Sequence, residues 1–210
     1  MQFTNKDSQT LLNIMRLRRD VRGNRFLNTP IEEEKLQLIL ESALYAPSVG
    51  YSQPWKFVVI KNQKIKQKVV QNFTTQNQKA KNIFKDSPLY SQLKLEGIKE
   101  APINIAVLYQ HPQKEVLGMT SMDKMGEYSV VCAVQNMWLM ARSLNIGIGW
   151  VSILDEKQLL RDINANQNSK LIAYLCVGYV KEFLEEPELK TLSWEQQKQL
   201  QECVVTIDEV

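Results

Sequence analysis

Five arginines lie within ten positions near the start of the sequence, at positions 16, 18, 19, 22 and 25. Arg18 and Arg22 are four residues apart, so at the end of a helix their side chains lie on one face. Two guanidinium groups on one face can hold a phosphate through paired hydrogen bonds. The alternative is a solvated face with local ion pairs, such as Arg16 with Asp20, and the spacing alone leaves both open.

Asp20 lies inside this run of arginines. Because nearby positive charge favours the ionised form of a carboxyl group, we expect Asp20 to ionise readily. Such a carboxylate can accept a hydrogen bond or a proton close to a ligand. A carboxylate that only balances the charge of the arginines would show the same spacing.

Two further segments combine a constrained backbone with polar side chains. Residues 46–55 contain two prolines and a glycine, and Ser48 and Gln53 offer hydrogen bonds there. The segment suits a ligand cradle or a tight structural connection. Residues 147–152 read Gly-Ile-Gly-Trp-Val-Ser, in which glycine would let a flat ligand approach the backbone. A lone GxG is weak evidence, and the GxGxxG fingerprint of dinucleotide sites is missing from the sequence.

The composition excludes several kinds of site. His111 is the single histidine, and the three cysteines, Cys132, Cys176 and Cys203, are far apart. A multi-histidine metal site, a CxxC pair and a disulfide framework are therefore excluded, and we expect no bound metal. Cys132 and Cys176 lie in apolar stretches and are predicted to be buried thiols.

The net charge and the length of the apolar runs limit the kinds of partner and the cellular compartment that we expect. A net charge of +3 is too small for a general nucleic-acid binder. The sequence contains no run of 18 apolar residues, so we expect no association with a membrane. Its first ten residues are polar and lack the apolar core of a signal peptide, which favours the cytoplasm.

Four helices can be predicted from the apolar spacing. The first is capped by Asp7 or Ser8 and buries its apolar side, and the second begins at Thr29, which forms a capping box with Glu32. Residues 63–85 form a thin amphipathic helix, and residues 128–144 form one that is apolar nearly all round. The predicted buried residues of the first two are Leu11, Leu12, Ile14, Met15, Leu36, Ile39, Leu40, Ala43 and Leu44.

Short apolar runs predict four strands, at residues 57–60, 103–109, 148–153 and 171–177. Asp155 caps a short helix, and the last thirty residues form no compact unit. Strands and helices are intermixed without repeats or linkers, which predicts a single domain over residues 1–210 of the α/β or α+β class.

In combination, these motifs resemble the flavin-dependent nitroreductase superfamily, and within it the branch that makes 5,6-dimethylbenzimidazole. An aspartate at position 20 and the Trp-Val-Ser at 150–152 point to that branch, since a generic nitroreductase has serine in place of the aspartate. The segments that carry the resemblance follow the family order over nearly the whole chain, at residues 18–22, 46–55, 94–102, 128–136, 147–153 and 186–189.

The resemblance implies an α+β fold with a central mixed or antiparallel sheet flanked by helices. It also implies a homodimer with two FMN sites at the subunit interface, and a C-terminal tail that packs on the partner. The arginines would hold the phosphate and polar end of the flavin, Ser48 and Gln53 would meet it from a second loop, and Leu95 would belong to a lid. The implied flavin-binding residues are Arg18, Arg19, Asp20, Val21, Arg22, Ser48, Gln53, Leu95, Gly149, Trp150 and Ser152.

The implied reaction fragments reduced FMN with dioxygen to 5,6-dimethylbenzimidazole, the lower ligand of vitamin B12, and erythrose 4-phosphate. FMN is then a substrate, supplied in reduced form by a separate flavin reductase. Asp20 would transfer a proton, and Ser152 would hold a flavin intermediate. Two other hypotheses remain: an NAD(P)H-dependent FMN nitroreductase or flavin reductase, and a flavin-binding protein without catalytic activity.

Overall fold

Four strands form one antiparallel sheet at the centre of the computed structural model, which describes residues 1–207. Along the sheet the order is β1-β2-β4-β3, and each neighbouring pair is antiparallel. With helices on both faces, the fold is of the α+β class, as the sequence predicts. The strands are β1 (Trp55–Ile60), β2 (Ile103–Tyr109), β3 (Ile146–Val151) and β4 (Lys170–Tyr179).

Helices cover both faces of this sheet. On one face α2 and α5 pack with alternate residues of β2, Ile105 and Val107. On the other face α3 and α6 pack with the intervening residues, Ala106 and Leu108. Because successive strand residues face opposite sides, a strand buried on both faces is apolar on both, and β2 is apolar and buried along its length apart from the buried Asn104. The helices are α1 (Asn5–Leu17), α2 (Glu33–Leu44), α3 (Gln63–Ile83), α4 (Pro88–Gln92), α5 (Met125–Ser143), α6 (Glu156–Asp162) and α7 (Glu188–Thr191).

The predicted interior of α1 is wrong for the described chain. The helix begins at Asn5 because Thr4 caps it, and Asp7 is the acidic partner of that capping box rather than the cap. Leu11, Leu12 and Met15 are each about half exposed. Their apolar side chains form a face that the rest of residues 1–207 leaves about half open.

The predicted start of α2 is also wrong. Ile31 is buried in the core while the chain is still extended, so the helix begins at Glu33, and its N-cap Glu32 makes no side-chain capping bond. Leu36 and Ile39 are buried as predicted, whereas Leu44 is half exposed.

Helix α5 lies against the sheet with one open side. Trp138 and five other side chains at three- and four-residue spacing are buried, but Val131 and Cys132 are exposed. The expectation that Cys132 is a buried thiol is therefore wrong, while Cys176 in β4 is buried as predicted. The other buried apolar residues of α5 are Val130, Ala133, Val134, Met137 and Ala141.

Part of the C-terminal segment packs on its own domain. The Trp194 ring lies 5.7 Å from that of Phe84 and 6.3 Å from that of Tyr90, measured between centroids. Residues 208–210, which end the predicted domain and tail, lie outside the described residues. Across residues 1–207, no helix is long and apolar enough to span a bilayer.

Candidate functional site

A cavity of about 840 Å³ lies between the chain that leaves α1, residues 93–95 and the C-terminal segment 184–197. Its size is in the usual range for small-molecule sites, roughly 300–1,000 Å³. Basic and acidic side chains both line it. The charged lining residues are Arg16, Arg18, Arg19, Asp20, Arg22, Lys94, Glu185, Glu186, Glu188, Lys190 and Glu195.

The chain at Asp20 and Val21 runs along β3, the edge strand of the sheet. The Val21 amide donates a hydrogen bond to the Ile148 carbonyl oxygen at 3.0 Å, and Asp20 forms a parallel bridge with Ile148. Gly149 is needed there, because a Cβ on it would overlap the Val21 carbonyl oxygen. The sheet therefore fixes the backbone of the segment that carries Asp20 and Arg22.

The Asp20 carboxylate is held at both oxygens. The Trp150 amide donates to Oδ1 at 2.9 Å, and Arg22 pairs with Oδ2. Burial raises the pKa of Asp20, against the lowering effect of the Arg22 charge and the Trp150 hydrogen bond. The expectation that Asp20 ionises readily is thus wrong in direction, because desolvation outweighs the arginine. Its carboxyl group can exchange a proton nearer to neutral pH than an ordinary aspartate does.

The Arg22 guanidinium joins three parts of the site. Besides Asp20, it donates to the Leu95 carbonyl oxygen at 3.2 Å and to the Trp150 carbonyl oxygen at 3.4 Å. Leu95 itself lines the cavity. Arg22 therefore connects the segment around Leu95, which the resemblance implies to be a lid, with Trp150 near the end of β3.

The Arg18 guanidinium is the one best placed to bind a ligand. Its guanidinium lies over the Trp138 ring, 4.6 Å from the ring centroid, and donates no hydrogen bond within residues 1–207. Burial lowers the pKa of Arg18 from its usual value, although arginine stays charged at neutral pH. A half-buried cation at a cavity wall is suited to bind an anionic group.

Arg19 is used differently from the other two arginines. Its side chain is buried, and four of its five N–H groups donate to backbone carbonyl oxygens. The structure therefore does not support the expectation that Arg19 offers its guanidinium to a phosphate. Its acceptors are the carbonyl oxygens of Arg16, Arg18, Leu184 and Glu185.

Ser48 and Gln53 lie away from this cavity in the same chain. The Ser48 hydroxyl accepts a hydrogen bond from the Gln53 amide at 3.2 Å, and the adjacent Val49 amide donates to Ser129 Oγ at 3.0 Å. Ser129 lies in the second turn of α5, nine residues before Trp138, so the helix positions that contact the loop and Arg18 are about 13 Å apart along the axis. One chain does not bring the two sets of residues together.

Gly149, Trp150 and Ser152, which the resemblance implies to lie around the flavin ring, differ in how exposed they are. Gly149 is buried against the backbone of Val21 rather than open to a ligand. Trp150 is partly exposed, with its ring centroid 6.2 Å from that of Trp138. Ser152 is exposed directly after β3 and lies outside the cavity lining.

Sequence reasoning missed three contributors to the site. In the sequence, Trp138 is one residue of the apolar helix predicted at 128–144, and Arg142, in the last turn of α5, resembles an ordinary basic residue at a helix C-terminus. The third is the segment at 184–190, of which only 186–189 enters the resemblance, and its charged residues form one wall of the cavity. Trp138 and Arg142 belong to no motif that indicates a ligand.

The donor set fits the phosphate of FMN. Arg18 has unused donors, Arg22 lines the same cavity, and the cavity volume suits a ligand of this size. In the described residues, no group of three or more histidines, cysteines or carboxylates is placed to hold a metal ion. The arrangement favours an organic anion as the ligand.

Comparison with known proteins gives the same family. The 5,6-dimethylbenzimidazole synthase of Rhodospirillum rubrum is 37% identical over 185 residues, covering 86% of this chain and 87% of the relative. The synthase of Rhodobacter capsulatus is 33% identical over 202 residues, covering 93% and 96%. An iodotyrosine deiodinase bound to FMN and 3-iodo-L-tyrosine shares the fold, with a TM-score of 0.70 and 20% identity over 95% of this chain and 99% of that one. The model of the nitroreductase family matches residues 15–179, and the chain therefore belongs to the nitroreductase family.

Proposed function

We propose that the chain converts reduced FMN and dioxygen into 5,6-dimethylbenzimidazole and erythrose 4-phosphate. The observation that carries the proposal is the Asp20 carboxyl group, which lines the cavity between the Trp150 amide and Arg22 with a raised pKa. Similarity to two synthases over most of the chain supports the same activity.

Reduced FMN supplies both the electrons for dioxygen and the carbon skeleton of the product. Arg18 and Arg22 bind its phosphate and polar end, because they present guanidinium groups at one wall of the cavity. Leu95, joined to Arg22 through its carbonyl oxygen, closes over the ligand. Val21, Gly149 and Trp150 hold the wall on which the ring rests.

Asp20 is the residue we propose for proton transfer. Burial raises the pKa of Asp20, so its carboxyl group holds a proton at a higher pH than an ordinary aspartate does, and it can take part in proton transfer. Arg22 and the Trp150 amide fix its two oxygens in place. Ser152, exposed at the end of β3, donates a hydrogen bond from its hydroxyl group to the bound flavin.

We propose that a second copy of the chain completes the site. Ser48 and Gln53 do not line the arginine cavity of their own chain, so we propose that they contact the flavin bound to the partner. The exposed apolar face of α1 and the open side of α5, at Val131 and Cys132, offer a surface for such a dimer. A two-fold dimer would present each Ser48 loop to the other subunit's cavity.

The supply of reduced flavin is part of the proposal. Because the reaction consumes FMN, a separate flavin reductase provides it in reduced form. We place both proteins in the cytoplasm.

The test is product formation. Protein is mixed with chemically reduced FMN in air, and 5,6-dimethylbenzimidazole is measured by mass spectrometry. If the protein is a synthase, we expect this product to form with no nicotinamide cofactor added. NADPH oxidation that depends on a nitrofuran, without the product, would establish a nitroreductase instead. Retention of flavin with neither outcome would leave a binding protein.

A further inference from the structure

The buried Arg19 side chain joins two segments that are far apart in the sequence. Its Nη1 donates to the Arg16 and Arg18 carbonyl oxygens, both at 2.7 Å, in the chain that leaves α1. Its Nε donates to the Leu184 carbonyl oxygen at 2.9 Å, and its Nη2 to that of Glu185. One guanidinium thus serves two carbonyls on each side.

A second arginine connects the same two segments. Arg142, near the end of α5, donates from Nε to the Leu17 carbonyl oxygen at 2.9 Å. Its guanidinium also stacks on the Phe183 ring, 4.0 Å from the ring centroid. Residues 16–18 are therefore tied to residues 183–185 by two side chains from different parts of the chain.

Both tied segments are walls of the cavity. Arg18 lies directly beside the carbonyls that Arg19 holds, and residues 184–190 face it from the other side. The Arg19 backbone is fixed in turn, because Trp138 Nε1 donates to its carbonyl oxygen at 3.2 Å. We therefore expect loss of either arginine to loosen the C-terminal wall, while the sheet and the Asp20 segment keep their own hydrogen bonds.

We propose that Arg19 and Arg142 are positioning residues that clamp residues 183–190 against the end of α1, and that neither binds the flavin phosphate. The proposal rests on the proposed function only in taking a flavin as the ligand of the cavity. A residue that holds the wall in place affects the binding of every molecule that contacts this wall, with or without a phosphate. A residue that binds the phosphate affects only molecules that carry one.

The experiment compares FMN with riboflavin, which lacks the phosphate. Arg19→Met is expected to weaken both ligands by the same factor, about tenfold, as loss of a charged hydrogen-bond donor does. Arg18→Met, the matched control, is expected to weaken FMN about tenfold more than riboflavin. Affinities are measured by quenching of flavin fluorescence. Weakening of FMN alone by Arg19→Met would overturn the proposal.

A local readout separates the clamp from general destabilisation. Trypsin cleavage after Lys190 is expected to accelerate about tenfold in Arg19→Met and in Arg142→Lys, with cleavage after Lys81 in α3 unchanged. Arg142→Lys retains the charge and lies outside the cavity lining, so it tests the clamp if Arg19→Met does not fold. Unchanged cleavage after Lys190, or equal acceleration at both sites, would contradict the clamp.

The outcomes also separate this proposal from the proposed function. If the wild-type protein binds flavin but makes no 5,6-dimethylbenzimidazole, the synthase activity is wrong while the affinity comparison still tests the clamp. If it binds no flavin, the proposed function is wrong, and the cleavage at Lys190 decides the clamp by itself.

Discussion

The carbonyl oxygen of Val21 packs directly on the α-carbon of Gly149 and fills the space that a side chain there would need. This contact lets residues 20–22 lie along β3 as an additional strand-like segment. The positions of Asp20 and Arg22 thus depend on the absence of a side chain one strand away. Glycine acts here through the protein's own backbone rather than through the ligand.

Gly149→Ala should displace the Asp20 segment from β3. We expect a loss of about 2 kcal/mol in the free energy of unfolding, typical of an overpacked core, and a weaker affinity for FMN. Urea denaturation and flavin-fluorescence quenching measure the two effects. As a control, Ile148→Val removes one buried methyl group and should cost about 1 kcal/mol with flavin affinity retained. Wild-type affinity in Gly149→Ala would mean that β3 does not hold the segment.

Asp20→Asn should abolish the acid–base step while sparing the fold. We expect product formation from reduced FMN to fall by about a hundredfold, the usual contribution of a general acid or base. The amide retains an acceptor for the Trp150 N–H. Mass spectrometry of 5,6-dimethylbenzimidazole gives the rate, and wild-type turnover in the variant would remove Asp20 from the mechanism.

The pH dependence of stability gives a second test of Asp20. Its folded-state pKa is raised, so ionisation costs the folded state free energy as the pH rises from the ordinary aspartate value, about 3.9, through the folded-state pKa. Asn carries no such cost. The stability of Asp20→Asn relative to wild type should therefore increase with pH across this window. A relative stability that decreases with pH would show that Arg22 outweighs burial.

Ser152→Ala should separate activity from stability. The hydroxyl is exposed, so we expect the free energy of unfolding to change by less than about 0.5 kcal/mol. Loss of its hydrogen bond to the flavin should reduce product formation about tenfold. Ser91→Ala, at another exposed serine, is the control and should retain full activity. If both variants behave like wild type, Ser152 has no role in the reaction.

Val131→Glu should prevent formation of the active dimer. A charge on the open side of α5 would have to be buried between the subunits, so we expect a monomer that has lost flavin affinity. Ile83→Glu places the same charge at an exposed apolar position of α3 and serves as the control. Light scattering after gel filtration gives the mass. A dimeric Val131→Glu protein that binds FMN would place the interface elsewhere.

The helices and strands could be predicted from the sequence more accurately than the residues at which they end or the surfaces that cover them. The spacing of Leu36 and Ile39 gave the buried side of α2 because it depends on contacts within one domain. Leu12 and Met15 of α1 have the same three-residue spacing, yet they are about half exposed, since periodicity does not tell which surface covers a helix. Cys132 was misplaced for the same reason.

The site was predictable by residue type but not by the use of each residue. The run of arginines indicates an anion site, yet four of the five Arg19 N–H groups donate to backbone carbonyl oxygens, two of which lie 165 or more residues away in the sequence. Burial reversed the expected direction of the Asp20 pKa shift, and burial depends on the packing of β3 and the cavity wall. Such effects require tertiary distances that a motif does not contain.

The central claim is tested most directly by the fate of FMN. Wild-type protein and Asp20→Asn are each given chemically reduced FMN in air, and 5,6-dimethylbenzimidazole and residual FMN are measured together by mass spectrometry. The account predicts that the wild-type protein forms the product as FMN disappears in equal amount, and that the variant does so about a hundredfold more slowly. Complete recovery of FMN with no 5,6-dimethylbenzimidazole from the wild-type protein would contradict it.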